Sequence, residues 1–313
     1  MKFGVLAGNF GTFGETPGVD GCLAIAESAE RLGFDSVWVH DHVIMPSGVQ
    51  SKYPYNATGD SPFRVEQFIY DPLPVMAAIA ARTTRVHIGT SVLVVPYRNP
   101  LVLAKELATI DRISHGRVLL GIGVGWMAEE FDALGIGEHY AHRGAMTDEW
   151  MAVCVNLWTQ QGPSSFKGRW VEYENVGANP LPVQKPHIPI WVGGKTPAAI
   201  RRVARYGNGF HTITSTPPEV AAEIAAVREA MERAGRDPSE IVVSMLWAGL
   251  GVTDRAQLVD TLGAYERAGV QHLVGIPWLL HGRPTATMTD QDRLEAQLEN
   301  MDLFVSEIRP KVG

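Results

Sequence analysis

Three polar residues, His40, Asp41 and His42, follow directly after a short apolar segment that ends at Val39. Histidine is the side chain most often used for proton transfer near neutral pH. His42 is therefore a candidate proton donor, or a hydrogen-bond donor to a cofactor, with Asp41 as its polar neighbour. Two other interpretations stay open: the solvated start of a loop, and a metal site in which His211 joins His40 and His42.

A second candidate site is a glycine-rich segment directly after the apolar run 188–192. Its sequence is Gly193-Gly194-Lys195-Thr196-Pro197. Proline in a first helical turn predicts that a helix begins here. Backbone N–H groups, the Thr196 hydroxyl, the Lys195 charge and the positive helix end all favour an anion. Thr212 and Thr214, at the end of the next run, are expected beside it. The segment predicts a phosphate site, with an ordinary glycine-rich turn as the alternative.

A third candidate feature is a row of glycines at alternate positions, Gly121, Gly123 and Gly125, followed by Trp126. Glycine has no side chain, so this spacing lets a flat group approach the backbone closely. We therefore place Gly123 and Gly125 in a cofactor site. Tight packing between a strand and a helix is the alternative. The spacing differs from the glycine fingerprint of dinucleotide-binding folds.

Eight short apolar runs alternate with helical segments along the chain. They cover residues 2–8, 35–40, 86–95, 117–122, 188–192, 209–214, 241–250 and 272–276. They lack strict alternation of apolar and polar residues, which is typical of parallel strands covered on both faces. Eight strands, each followed by a helix, predict a (β/α)8 TIM barrel, whose active site lies at the carboxyl ends of the strands. A doubly wound sheet is the competing architecture.

One helix has clear signals at both ends. Thr216 and Glu219 form a capping box around two prolines, and Gly235 is a stop signal. The next helix is expected to start near Asp254 and to end at Gly269. These signals place a helix after each of two late strands.

Two segments, residues 43–70 and 160–187, are longer than ordinary loops and rich in proline and glycine. We interpret them as insertions into a single TIM-barrel domain that spans residues 1–313. The first insertion follows the carboxyl end of a strand. It is therefore a candidate lid or substrate loop.

Composition excludes several classes of protein. The chain has 313 residues, 45% of them hydrophobic, and a net charge of −7, which disfavours a nucleic-acid partner. No apolar run reaches the roughly 18 residues of a membrane span, and the apolar start at residues 1–8 is too short for a secretory leader. Two cysteines cannot form a disulfide scaffold. We therefore expect a cytoplasmic protein with a small-molecule substrate.

Six segments, taken in order, resemble the bacterial luciferase-like monooxygenase superfamily. They most closely resemble its actinobacterial branch of deazaflavin-dependent (coenzyme F420-dependent) oxidoreductases. The segments are SVWVHDH at 36–42, GTSVLVVPYRNP at 89–100, GRVLLGIGVGW at 116–126, EF at 130–131, WVGGKTP at 191–197 and GNGF at 207–210. The resemblance covers nearly the whole chain and implies a (β/α)8 barrel with insertions that forms a homodimer.

The resemblance also implies how a cofactor ring is held. Asp41 and His42 would contact the deazaflavin ring, with His42 as the proton relay of this catalytic pair. The peptide bond between Ser91 and Val92 would be cis, in a bulge that supports the back of the ring. Glu129 falls near a cofactor contact of the family.

The remaining expectations concern the cofactor tail and the substrate. The tail phosphate would bind at residues 193–196, near Thr212 and Thr214. We assign three residues to the substrate pocket: Asn9, Trp126 and Trp278. The two tryptophans could instead cap the barrel core.

One departure from the family pattern bears on the substrate. Sugar-phosphate dehydrogenases of the family carry an acidic residue directly after the glycine that corresponds to Gly125. This chain has Trp126 at that position. The pocket is therefore expected to be more apolar. This substitution argues against a sugar-phosphate substrate.

The sequence thus predicts an F420-dependent oxidoreductase that transfers a hydride between the deazaflavin and a small, largely apolar organic molecule. The first alternative is a monooxygenase that uses reduced FMN and oxygen. A metal hydrolase built on His40, His42 and His211 and a non-catalytic deazaflavin carrier are further alternatives.

Overall fold

The computed structural model describes residues 1–12, 14–213, 215–247, 254–275 and 288–312. Eleven strands are present in these ranges. They are β1 (Lys2–Leu6), β2 (Ser36–Val39), β3 (His87–Thr90), β4 (Leu93–Val94), β5 (Val118–Gly123), β6 (Ser164–Lys167), β7 (Glu172–Val176), β8 (Ile190–Gly193), β9 (Gly209–Ile213), β10 (Val242–Leu246) and β11 (His272–Val274).

Nine of these strands form one parallel sheet in the order β3-β2-β1-β11-β10-β9-β8-β5-β4. A further pairing of β3 with β5 joins the two ends of the sheet, so the sheet closes into a barrel. Since β4 continues the position of β3, the barrel has eight strand positions. The predicted (β/α)8 barrel is therefore confirmed, and the doubly wound alternative is wrong because an open sheet has no such closure.

Helices surround the barrel. They are α1 (Gly18–Arg31), α2 (Pro72–Arg82), α3 (Pro100–Ile113), α4 (Ala128–Ala133), α5 (Arg143–Thr159), α6 (Pro197–Tyr206), α7 (Pro217–Arg233), α8 (Arg255–Ala268) and α9 (Asp290–Leu303). No helix among the described residues is long and apolar enough to span a bilayer.

A capping residue followed by proline starts α2, α3 and α6. The side chains of Asp71, Asn99 and Thr196 accept hydrogen bonds from backbone N–H groups of the first turn, and a proline follows each of them. The missing N–H of proline costs nothing at this position, because the first helical N–H groups have no partner within the helix. The predicted ends of α7 and α8 are confirmed: the Glu219 carboxylate accepts from Thr216, and α8 stops before Gly269.

The apolar run 86–95 is divided between β3 and β4 by a cis peptide bond between Ser91 and Val92, as expected. Each of the eight predicted runs extends beyond the observed strand at one end or at both. Residues 214, 248–250 and 276 of those runs lie outside the described residues.

Glycines surround the segment that follows the cis bond. A Cβ atom at Gly123 would lie 2.5 Å from a methyl group of Val92, and one at Gly193 would lie 2.8 Å from the other methyl group. A Cβ at Gly121 would overlap the carbonyl oxygen of Thr90. The sequence analysis assigned the space beside these glycines to a cofactor ring, with tight packing of a strand against a helix as the alternative. In the structure Thr90 and Val92, which belong to the protein's own bulge, occupy that space.

Replacing Gly121 with alanine is expected to lower the free energy of unfolding by about 2 kcal/mol or more, the upper part of the range for overpacked cores. The reason is that the new methyl group meets backbone rather than a mobile side chain. Urea unfolding would measure the loss. Gly162→Ala is the control, because nothing lies within 4 Å of its Cβ position and the change there should stay within about 1 kcal/mol. Equal effects at the two positions would contradict the packing argument.

The two insertions differ in structure. Residues 43–70 contain no helix or strand, and their far end is tied to the barrel by a β-bridge between Phe10 and Ile69. Residues 160–187 contain the antiparallel hairpin β6–β7, which sequence analysis did not predict. Its polar, alternately exposed residues lack the apolar pattern by which the barrel strands were recognised.

The barrel interior holds a buried polar network among tryptophans. His211 stacks on Trp38, with ring centroids 5.3 Å apart, and hydrogen-bonds Ser91 and Ser244. His272 hydrogen-bonds the Ser36 hydroxyl at 2.7 Å. Burial lowers the pKa of His211 and of His272 from 6.5 to about 3. Both imidazoles are therefore neutral in the folded protein at neutral pH.

This burial predicts a loss of stability in acid. Between pH 6.5 and about 3 the unfolded chain binds protons on these two histidines while the folded protein does not. Stability is therefore fully present above pH 6.5 and falls as the pH decreases, by about 1 kcal/mol per pH unit for each group. Urea unfolding across this range measures the slope. The double variant His211→Gln/His272→Gln should show a shallower slope; an unchanged slope would assign the acid sensitivity to other groups.

Candidate active site

His42 lies at the carboxyl end of the barrel, three residues after β2, and only 8% of its surface is exposed. Its Nδ1 atom is 2.6 Å from Oε2 of Glu130, which α4 presents after the glycine-rich end of β5. Glu130 is fully buried. Which of the two groups donates in this hydrogen bond depends on the tautomer of His42.

The Glu130 carboxylate has three other hydrogen-bond partners. Its Oε2 accepts from the Tyr97 hydroxyl at 2.8 Å, and its Oε1 accepts from the backbone N–H groups of Val43 and Ile44. Burial, together with the charge of Glu130, raises the pKa of Tyr97, so its phenol stays protonated and donates. This buried carboxylate thus joins His42 to the first residues of the insertion 43–70.

Asp41, the neighbour of His42 in sequence, is buried and paired with Arg98, and its predicted contact with a cofactor ring stays a prediction. It accepts two hydrogen bonds from the Arg98 guanidinium, at 2.7 and 2.9 Å, and one from the Val94 backbone N–H at 2.8 Å. Arg98 also bonds Asp71, the cap of α2. Although burial alone would lower the pKa of Arg98, the two carboxylates raise it, so the guanidinium stays charged. The structure therefore uses the Asp41 carboxylate to fix the ends of β2, β4 and α2, whereas the sequence analysis paired it with His42 at a ring.

Aromatic rings surround His42. Phe10 stacks on it with centroids 5.2 Å apart, and Phe63 lies at 5.3 Å. Trp126 lies edge-on to His42 at 6.4 Å and contacts Tyr53 at 5.2 Å. Tyr53 and Phe63 belong to the insertion 43–70, so this segment covers the barrel end. Trp126 therefore belongs to an aromatic cluster around His42, and its assignment to the substrate pocket stays a prediction.

The bulge between β3 and β4 lies beside His40. The Ser91 carbonyl oxygen is 2.6 Å from Nδ1 of His40, and the Ser91 hydroxyl is bonded to His211. The side chain of Val92 is half-buried. The bulge is thus held from both sides by histidines that were considered as metal ligands in the sequence analysis.

The glycine-rich segment after β8 has a geometry suited to an anion. Gly194 has a φ of +93°, and Thr196 caps α6 through Ala199. The backbone N–H groups of Lys195 and Thr196 donate to no other described group. Unpaired donors and the positive end of α6 are the features that a phosphate site requires. Lys195 and Thr196 are both exposed, so water also satisfies these donors in an ordinary turn, and that alternative stays open.

The polar side chains near that segment are arranged differently from the prediction. The Thr212 hydroxyl donates to Glu223 at 2.6 Å, so it would have to break this bond to reach a phosphate. Lys195 is 3.8 Å from Glu223 and bonds Ser215, but its side chain is 46% exposed and can turn toward a ligand. Thr214 lies outside the described residues. A carboxylate beside a predicted phosphate site was not foreseen.

Other predicted site residues bind the protein itself. Glu129 accepts hydrogen bonds from the backbone of Gln50 and Ser51 and so anchors the insertion 43–70. Both amide protons of Asn9 go to the carbonyl oxygens of His40 and Tyr70, which leaves no donor for a substrate. Trp278 lies outside the described residues.

A metal centre finds no support in the arrangement of the predicted ligands. His40 hydrogen-bonds the Ser91 carbonyl oxygen, His42 hydrogen-bonds Glu130, and His211 hydrogen-bonds the hydroxyl groups of Ser91 and Ser244. In the ranges described, no three His, Cys, Asp or Glu side chains converge as a metal site would require.

Glu130, Tyr97 and Arg98 are residues of the candidate site to which sequence reasoning assigned no role. Their partners lie 88, 33 and 57 residues away along the chain. The only local sign of a role for Glu130 is that it belongs to the segment 130–131, which resembles the family. The resemblance by itself assigns no partner to this glutamate.

A buried histidine–carboxylate pair thus stands at the carboxyl end of the barrel. The chain belongs to the luciferase-like monooxygenase family, whose sequence profile matches residues 1–257. A Mycobacterium tuberculosis protein of uncharacterized function is 32% identical over 244 residues, 74% of this chain and 84% of the relative.

Two further similarities concern proteins of stated activity. An F420-dependent glucose-6-phosphate dehydrogenase of Gordonia bronchialis is 34% identical over 220 residues, which cover 69% of this chain and 60% of that protein. The crystal structure of the monooxygenase RslO1 from Streptomyces bottropensis superposes with a TM-score of 0.75 over 99% of both chains. At 24% identity the second similarity shows the shared fold alone.

Proposed function

We propose that this protein is an F420-dependent oxidoreductase that transfers a hydride between the deazaflavin and a small, largely apolar organic substrate. The observation that carries the proposal is the pair of His42 and Glu130, placed at the carboxyl end of the barrel beside the bulge at Ser91 and Val92. Active sites of such barrels are built at this end. The partner is thus a small molecule, and we propose a homodimer as the working assembly.

The residues of the chain fit a ring cofactor with a phosphate tail. Val92 presents an apolar surface on the bulge, and the free N–H groups of Lys195 and Thr196 at the start of α6 are donors for the phosphate. When bound, the deazaflavin supplies or accepts the hydride. Nε2 of His42 holds the proton that leaves or joins the substrate in the same reaction.

The substrate class follows from the side chains around His42. Phe10, Phe63 and Trp126 contact the His42 ring, Tyr53 contacts Trp126, and none of these four side chains carries a charge. A charged sugar phosphate would lose its hydration there without gaining an ion pair. We therefore propose an uncharged substrate with a hydroxyl or carbonyl group for His42 and an apolar body for the aromatic walls.

A monooxygenase that uses reduced FMN is the second candidate, favoured by the family to which the chain belongs. The same helix N-terminus would serve the phosphate of FMN. The Gordonia bronchialis dehydrogenase, which is 34% identical, is F420-dependent, and this supports the F420-dependent oxidoreductase.

Cofactor binding tests the proposal directly. The purified protein would be titrated with oxidised F420 and, separately, with FMN, using isothermal titration calorimetry. We expect F420 to bind at least about tenfold more tightly, a difference of about 1.4 kcal/mol. Tight binding of FMN alone, together with substrate-dependent oxygen consumption when reduced FMN is supplied, would contradict the F420 proposal and favour the monooxygenase.

A further inference from the structure

We propose that Glu130 is a positioning residue that holds His42 in one tautomer, with the ring proton on Nδ1 and the lone pair on Nε2. The consequence for catalysis rests on the proposed function. The tautomer itself does not, because it follows from contacts within the chain.

The geometry leaves Nδ1 no other role. It lies 2.6 Å from Oε2 of Glu130, a short hydrogen bond of the kind that a charged acceptor makes. The same oxygen already receives the phenolic proton of Tyr97. A carboxylate that accepts from two donors has no proton to give, so the imidazole must supply the second one.

The charge of Glu130 also affects the protonated state of His42. Among the described residues, His42 is the one basic side chain within ion-pair distance of Glu130. Arg98, the nearby cation, is occupied by Asp41 and Asp71. When Nε2 of His42 takes up a proton, the imidazolium forms next to a buried and otherwise uncompensated carboxylate. Glu130 therefore stabilises the protonated state of the relay as well as its orientation.

A purely structural role is the competing explanation. Oε1 of Glu130 accepts from the backbone N–H groups of Val43 and Ile44, so the residue also anchors the start of the insertion 43–70. The two oxygens divide these tasks: Oε1 holds the loop, and Oε2 holds His42. A decisive experiment must therefore report on the hydrogen bond between Oε2 and His42 independently of the insertion 43–70.

Nuclear magnetic resonance of the cofactor-free protein provides that reading. With 15N-labelled histidine, the chemical shifts of the two ring nitrogens show which one carries the proton; the His42 signals are assigned by their loss in His42→Gln. We expect wild-type His42 to be protonated on Nδ1 at neutral pH. In Glu130→Gln the amide can donate to Nδ1, and the proton should move to Nε2. A wild-type ring protonated on Nε2 would overturn the proposal, even if the variant failed to fold.

Kinetics give the second reading. Glu130→Gln is expected to lower kcat by about 10²-fold or more, as expected when a relay histidine adopts the wrong tautomer, with KM changed by no more than about threefold. Tyr97→Phe removes a donor from the same oxygen but keeps the carboxylate, so its tautomer should be that of the wild type. A retained kcat in Glu130→Gln would overturn the catalytic part.

Asp111→Asn is the matched control. Asp111 is also fully buried, and it also accepts from loop backbone, through the N–H groups of Val183 and Gln184. It lies near the carboxyl end of α3, at the far end of the barrel from His42. This variant should lose stability without losing kcat. If F420 failed to bind while His42 kept the predicted tautomer, the proposed function would fail and the positioning role would stand.

Discussion

Replacing His42 with glutamine is expected to lower kcat by about 10²- to 10⁴-fold, the range for the loss of a positioned acid–base group. Glutamine keeps a polar side chain that can donate to Glu130, so the buried carboxylate retains a partner. It has no group that takes up and returns a proton near neutral pH. The chemical step should therefore suffer far more than the fold, which we expect to lose no more than about 2 kcal/mol.

The measurement is steady-state reduction or oxidation of F420 with a panel of uncharged alcohols and ketones, together with urea unfolding of the same preparation. His87→Gln is the control. His87 is a half-buried histidine at the start of β3, at the amino end of the barrel, where active sites are not built. If His42→Gln kept wild-type kcat, another group would have to move the proton and the assigned role would be wrong.

The fold was accessible from sequence because its signals are local. Apolar runs without alternation indicated parallel strands, and dipeptides such as Thr196-Pro197 and Thr216-Pro217 marked helix starts. The cis bond at Ser91 was expected from the resemblance and is present. The hairpin β6–β7 was missed because its strands are short, polar and largely exposed, and so carry no apolar pattern.

The site was accessible only in part, for a physical reason. His42 could be proposed as a site residue because it follows a strand end, where barrel active sites are built. Its partner Glu130 could not be inferred, because a hydrogen bond between residues 88 apart leaves no local pattern. The glycines of β5 were recognised as positions without side chains, but what fills the space, Val92 and the Thr90 carbonyl group, depends on how two strands meet.

Asp41 is a second residue whose partner could not be inferred from sequence. Its place beside His42 suggested shared chemistry at a ring, and a sequence has no means of showing that Arg98 lies within 2.7 Å of it. The two neighbouring side chains have different partners: His42 contacts Glu130, and Asp41 contacts Arg98. We therefore expect the ion pair between Asp41 and Arg98 to contribute to the stability of the fold around the site.

Replacing Arg98 with methionine is expected to lower the free energy of unfolding by about 3–5 kcal/mol, the range for breaking a buried ion pair from one side. The side chain of Asp41 is fully buried, so removing the guanidinium leaves a charge that water cannot reach. Asp71, whose side chain is 41% exposed, would be rehydrated and should contribute less. Urea unfolding measures the loss. Arg233→Met is the surface control, since its pair with Glu229 is exposed on both sides and should be worth under about 1 kcal/mol.

The double variant Asp41→Asn/Arg98→Met separates the two causes of that loss. If the buried charge dominates, neutralising Asp41 should restore part of the stability, because the uncharged amide that replaces the carboxylate needs no counter-ion and can still accept from the Val94 backbone N–H. If the double variant is less stable than Arg98→Met, the guanidinium acts mainly through packing and hydrogen bonds. A loss below about 1 kcal/mol for Arg98→Met alone would contradict the view that this ion pair fixes the ends of β2 and α2, and with them the position of His42.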